Sequence, residues 1–165
     1  MTGTSQTNGD GALLAKIVTV STSTHAGTRE DLSGPALADL LRAHGFSVVD
    51  RRVVLDGVVH VADVLVQFAA GFCGLIVTTG GTGFAPTDCT PEATRRVIER
   101  EAPGLAEASR AVSPLGRLSR GVAGTLGSAL IVNVPGSLRG ATESLEAVID
   151  VVPHALQLLG GATPH

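Results

Sequence analysis

Residues 77–93 read VTTGGTGFAPTDCTPEA. An apolar, β-branched run stops at Gly80, Gly81 and Gly83, a carboxylate follows at Asp88, and Thr90-Pro91 has the form of a helix start. Glycines in this density leave the backbone bare and admit positive φ. The stretch is therefore open to three readings: a nucleotide phosphate site, a tight structural turn, or the signature of a narrower chemistry. A strand that runs through a glycine turn into a helix is also the repeating junction of a parallel sheet, and the rest of the chain agrees with it.

Working outward, apolar runs bounded by Gly, Pro, Asp and Ser alternate with segments of helical period. Strands are expected near 15–21, 46–54, 73–79 and 128–134. The first helix is expected to start with Ser33 as N-cap and Pro35 in its first turn, to bury Ala36, Leu37, Leu40 and Leu41, and to stop at Gly45. Val58, Val61, Ala62, Leu65, Phe68 and Ala69 form the apolar stripe of a second helix. Thr90 as N-cap and Pro91 at the first helical position begin a third, with Glu92 at its positive end. A last helix runs from about 141 past Pro153, where a kink is expected. The pattern predicts an α/β protein with a mostly parallel sheet flanked by helices, as one domain over 13–161 behind a loose polar tail at 1–12.

Bulk composition excludes several functions. The chain has 165 residues, 44% hydrophobic and 16% charged, which suits a globular protein with one sizeable core and no membrane span. A net charge of −3 and 2% aromatic residues give neither the attraction nor the stacking surfaces that nucleic acid needs. Cys73 and Cys89 have no metal or CxxC spacing, so two free thiols in a reducing cytoplasm are expected.

A glycine turn leaving a parallel strand lies at the carboxyl edge of the sheet, where open α/β folds bind ligands. Bare N–H groups and a following helix N-terminus favour an anion, so phosphate is the natural guest. The specific nucleotide motifs are absent. A GxGxxG beginning at Gly81 would need glycine where Pro86 stands, and a P-loop needs a lysine that is not there, since the sole lysine is Lys16.

TTGGTG (78–83), DCTPEA (88–93), SRGVAG (119–124) and NVPGS (133–137), in this order and spacing, resemble the molybdenum cofactor biosynthesis proteins of the Mog and MoaB type. DLSG (31–34) and PGLAEASR (103–110) add to the resemblance, which covers about 14–160. It implies a three-layer αβα sandwich of the molybdopterin-binding fold, assembled as a homotrimer or a hexamer. It also implies the family's reaction, Mg²⁺-dependent transfer of AMP from ATP to molybdopterin with release of pyrophosphate. A non-catalytic molybdopterin- or nucleotide-binding scaffold of the same family is the alternative, and a contact with the molybdenum insertase of the pathway is implied as well.

By the same resemblance, Asp56 and Asp88 match catalytic aspartates, and both are assigned to Mg²⁺ on what are expected to be neighbouring strand ends. Thr79, Gly80, Gly81, Thr82 and Gly83 would hold phosphate. Pro135, Gly136 and Ser137 would line the pocket as a second turn, and Ser113 and Ser119 would lie towards the pterin. Thr87 stands before Asp88 where the family commonly has arginine, and Leu55 and Gly57 flank Asp56. Of the remaining polar residues, His25, His60 and His154 lack metal spacing, Arg95, Arg96 and Arg100 form a solvated face, and Cys89 reads as a small filler. Arg110, Arg117 and Arg120 stand between a solvent or subunit-contact role and the binding of polyanionic substrates.

Overall fold

Alternate residues of the apolar runs go to opposite faces of one sheet in the computed structural model, which describes residues 13–161. Ile17, Leu75, Val77, Leu130 and Val132 enter one core, while Val18, Ile76 and Ile131 enter the other. Strands buried on both faces read as continuous apolar stretches, which is why the sequence announces them. The tail expected at 1–12 lies outside the described residues.

In chain order the elements are β1 (Leu13–Val20), α1 (Thr22–His25), α2 (Ser33–Ala43), β2 (Phe46–Val54), α3 (Val58–Ala69), β3 (Gly74–Thr79), α4 (Thr90–Val97), β4 (Arg100–Glu101), α5 (Pro103–Arg110), a 3-10 turn (Pro114–Leu118), β5 (Ala123–Leu126), β6 (Ala129–Val134), α6 (Leu138–Glu146) and α7 (Val152–Leu159). The sheet order is β2-β1-β3-β6-β5-β4. The first four strands are mutually parallel; β5 and β4 extend the sheet by antiparallel pairing. Leu37 and Leu41 of α2, Leu145 of α6 and Val152 of α7 cover one face, and Val61, Leu65 and Phe68 of α3 with Ala93 of α4 cover the other. This is the three-layer αβα sandwich. Each fully buried Leu or Phe contributes about 1.5–3 kcal/mol, so the layers are held chiefly by these side chains.

Three local expectations are corrected. Ser33 does not cap α2: Asp31 does, its Oδ1 accepting from the Gly34 N–H at 2.9 Å while its Oδ2 accepts from the Thr19 hydroxyl at 2.9 Å. The Ser33 hydroxyl is buried instead, 3.2 Å from that of Thr79. Thr90 does not cap α4 either, because its hydroxyl donates to the Gly80 carbonyl at 2.8 Å. In both cases a tertiary hydrogen-bond partner competes for the hydroxyl and wins.

The third correction concerns the C-terminal helix. It is two helices, not one kinked helix, with Pro153 in the first turn of α7, where its missing N–H costs nothing. α6 starts earlier than expected, because the Ser137 Oγ accepts from the Gly140 N–H at 3.1 Å. Gly45 does end α2, at φ +86.

Candidate active site

The carboxyl ends of β3 and β6 are adjacent, so their glycine turns meet. The Gly80 N–H donates to the Val134 carbonyl at 3.2 Å, and the Thr79 hydroxyl donates to the Pro135 carbonyl at 2.7 Å. A Cβ on Gly136 would lie 3.1 Å from the Gly80 Cα, and one on Gly80 would lie 2.4 Å from the Val20 carbonyl oxygen at the end of β1. Gly80 and Gly81 have φ of +101 and +69. The turn therefore needs glycine both for its conformation and for the close approach of three strand ends.

Four consecutive N–H groups, those of Gly81, Thr82, Gly83 and Phe84, have no acceptor among the described residues; nor do those of Gly136 and Ser137 in the second turn. Buried backbone donors are almost always paired, and Thr82 is only 4% exposed. A run of such donors is an anion-binding concavity. The Thr79 hydroxyl is a different case: it is buried and already donates to Pro135, so it ties the two turns together and is not free for a phosphate.

Asp88 closes the same loop. Its Oδ2 accepts from the Ala85 N–H at 2.9 Å and would lie 2.9 Å from a Cβ placed on Gly83. Phe84, between them, is 69% exposed. Asp56 follows β2 and accepts through Oδ2 from the Thr22 N–H at 2.9 Å and the Thr22 hydroxyl at 2.8 Å. In both acids Oδ1 has no hydrogen-bond partner among the described residues.

The expected neighbourhood of these acids is corrected. β1 stands between β2 and β3, so their strand ends are two steps apart, about 10 Å at the usual inter-strand spacing. No cluster of three His, Cys, Asp or Glu suited to a metal occurs among the described residues. Each acid nevertheless offers one open oxygen, the donor type that a hard cation takes together with phosphate and water oxygens.

The serines separate. Ser119 and Pro135 line a cavity of about 10 Å³ with Arg110, Asn133, Ser109 and Ser144, room for about one water. Ser113 lines a different, open basin with Arg110 and Arg117, and its Oγ accepts from the Leu115 N–H at 3.2 Å. Ser137 caps α6. Beneath the turns, Asn133 donates to the hydroxyls of Thr78 and Thr94 at 2.8 and 3.0 Å and accepts from the Val122 N–H at 3.1 Å, a closed polar network in the core. Lys16 is used elsewhere: its Nζ donates to the Phe68 carbonyl at 3.0 Å and lies 4.1 Å from the Phe72 ring centroid, and burial lowers its pKa.

Sequence reasoning missed what Arg120 does. Its Nε donates to the Gly83 carbonyl and its Nη2 to the Asp88 carbonyl, each at 2.8 Å, and its guanidinium pairs with Glu92. The hydrogen bond from Arg120 holds the Glu92 carboxyl below its ordinary pKa, so the pair persists at neutral pH and opens only in acid, as pH falls through that lowered value. The motif SRGVAG marks the position, but nothing in the sequence shows that its arginine reaches residues up to 37 positions away.

Converging glycine turns with unpaired amides at the carboxyl edge of a parallel sheet form a concavity of the kind in which open α/β domains bind anions. Residues 16–154 match the family model described as "Probable molybdopterin binding domain", and the chain belongs to that family. The molybdopterin adenylyltransferase of Helicobacter pylori strain J99 is 37% identical over 142 residues, 82% of this chain and 81% of that protein. The molybdenum cofactor synthesis protein cinnamon of Drosophila melanogaster is 35% identical over 153 residues, 87% of this chain, and the chain spans 25% of that protein's length. Among solved structures, the molybdopterin biosynthesis enzyme MoaB of Thermus thermophilus has a TM-score of 0.86 at 46% identity, covering 91% of this chain and 98% of that one. No helix among the described residues is long and apolar enough to cross a membrane.

Proposed function

We propose that this chain transfers AMP from ATP to molybdopterin in molybdenum cofactor biosynthesis. The observation that carries the reading is the run of four unpaired N–H groups from Gly81 to Phe84, set against the second glycine turn and closed by Asp88. Relatives named molybdopterin adenylyltransferase supply the substrate class.

In the reaction an oxygen of molybdopterin's terminal phosphate forms a bond to the α-phosphorus of ATP, and the α–β bridging bond breaks to release pyrophosphate. The attacking phosphate is already ionised at neutral pH, so the chain need not abstract a proton; it must bring two anions together in line. The amides of Gly81, Thr82, Gly83 and Phe84 bind the nucleotide phosphates, and those of Gly136 and Ser137 at the start of α6 bind on the second side. Asp88 and Asp56 would hold Mg²⁺ through their open oxygens, and the ion would supply neutralisation of phosphate charge. Ser119 and Ser113 are assigned to molybdopterin, with Arg110, which lines both of their cavities, and Arg117 beside Ser113 as cationic neighbours.

The two free thiols suit the cytoplasm. A homotrimer is the assembly proposed, because Val112, Leu115 and Leu118 around the 3-10 turn are exposed apolar side chains that a subunit contact would cover. Light scattering is expected to give three times the chain mass, and a monomer would contradict it.

The reaction is tested by mixing the purified chain with molybdopterin and MgATP and measuring pyrophosphate alongside adenylylated product. One pyrophosphate per product is expected, with none when molybdopterin is omitted. Tight binding of both substrates without product would reject the enzyme and leave a scaffold.

A further inference from the structure

Arg120 does more than form a surface ion pair. An exposed pair with Glu92 alone would contribute little. Here the guanidinium also takes the carbonyls of Gly83 and Asp88, and the Arg120 main-chain N–H donates to the Thr82 carbonyl at 2.8 Å. Three peptide planes of one loop are thus gripped on their carbonyl side by a single residue. In a trans peptide the N–H points opposite to the C=O. Fixing the carbonyls of Thr82, Gly83 and Asp88 therefore aims the N–H groups of Gly83, Phe84 and Cys89 away from Arg120, and none of the three has an acceptor among the described residues.

We infer that Arg120, anchored by Glu92, is a positioning residue that orients the amides of the 82–89 loop and the Asp88 side chain towards the nucleotide phosphates. This rests on the proposed reaction. Arg120 touches no substrate in this account; it acts through the loop. A flat fork with several donors in fixed directions suits the two carbonyls and the carboxylate together, so lysine is a poor substitute. Glu92, in the first turn of α4, keeps the fork from turning out to solvent. Asp88 belongs to the second gripped segment, and its own N–H donates to the Ala85 carbonyl at 2.9 Å.

The test combines amide hydrogen exchange on the free protein with steady-state kinetics on Arg120→Ala, Arg120→Lys and Glu92→Gln. In Arg120→Ala, exchange over 82–90, read at the hydrogen-bonded amides of Ala85, Asp88 and Thr90, is expected to rise about tenfold or more, with β3 and β6 unchanged. The kcat for pyrophosphate release should fall about tenfold, while the Kd for molybdopterin stays within about twofold. Arg120→Lys should resemble Arg120→Ala. Glu92→Gln keeps both carbonyl bonds and should move both readouts the same way by less, which preserves the test if Arg120→Ala folds poorly.

Unchanged exchange over 82–90 overturns the inference. So does faster exchange with an unaltered kcat per folded molecule, which would make Arg120 structural only. Exchange is read without turnover, so absence of reaction in the wild-type protein would reject the proposed chemistry while the loop result still judges the grip of Arg120.

Discussion

Asp88→Asn is expected to slow pyrophosphate release by at least tenfold, about 1.4 kcal/mol of barrier, with little change in thermal stability. The substitution separates charge from architecture. An asparagine oxygen can still accept from the Ala85 N–H, so the loop closes as before. What is lost is the second carboxylate oxygen, replaced by an NH₂ that donates and cannot ligate a cation. Asp56→Asn should behave alike, since one oxygen suffices for the Thr22 N–H and hydroxyl. Full turnover in both variants would remove the two acids from the chemistry and leave them as turn ties.

Gly80→Ala should be the most damaging single methyl in the site. The added Cβ would stand 2.4 Å from the Val20 carbonyl oxygen, and the residue would have to hold φ at +101. The obstacle is main chain in a packed strand, so no flexible side-chain end can swing away. Either the end of β1 separates from β3 or the glycine turn shifts, and both alter the phosphate-binding amides. A loss of about 2–4 kcal/mol is expected, read as a melting temperature lower by roughly 5–15 °C, together with weakened ATP binding. Gly27→Ala is the control. Its φ is +78 but nothing lies within 4 Å of the new Cβ, so only the conformational cost of about 1 kcal/mol should appear. Equal losses in the two variants would mean that the three strand ends do not crowd Gly80.

The parallel core was legible because its strands are buried on both faces. Leu75, Ile76 and Val77 need no partner to be recognised, since each is apolar whichever way it points. β4 and β5 were illegible for the opposite reason. Arg100 and Glu101 are exposed, and Ala123–Leu126 is a short run after a loop, so their strand character comes only from pairing, β5 along β6 and β4 along β5. The cap assignments at Ser33 and Thr90 failed because a hydroxyl at a helix start has local and distant hydrogen-bond partners, and spacing along the chain reveals only the local ones.

The site followed the same division. Glycine clusters after β3 and β6 marked both turns, and strand adjacency brought them together as the account needs. The two acids stood out in the sequence, but their spatial relation was misjudged, because chain order from β2 to β3 hides the insertion of β1 between them. Arg120 was visible only as one basic residue among several; its reach to Gly83, Asp88 and Glu92 is a product of tertiary structure. Phe84 could have been singled out from composition, as one of four phenylalanines in a chain without Trp or Tyr, standing in a glycine loop.

The central claim is that bare amides of two abutting turns receive the phosphates of the nucleotide. Titrating ¹⁵N-labelled protein with MgATP and following backbone amide resonances tests it directly. The account predicts that Gly81, Thr82, Gly83, Phe84, Gly136 and Ser137 shift together along one saturating curve, while amides of α3 and α7 stay in place. Shifts confined to other parts of the chain, with those six amides unmoved at saturation, would contradict it.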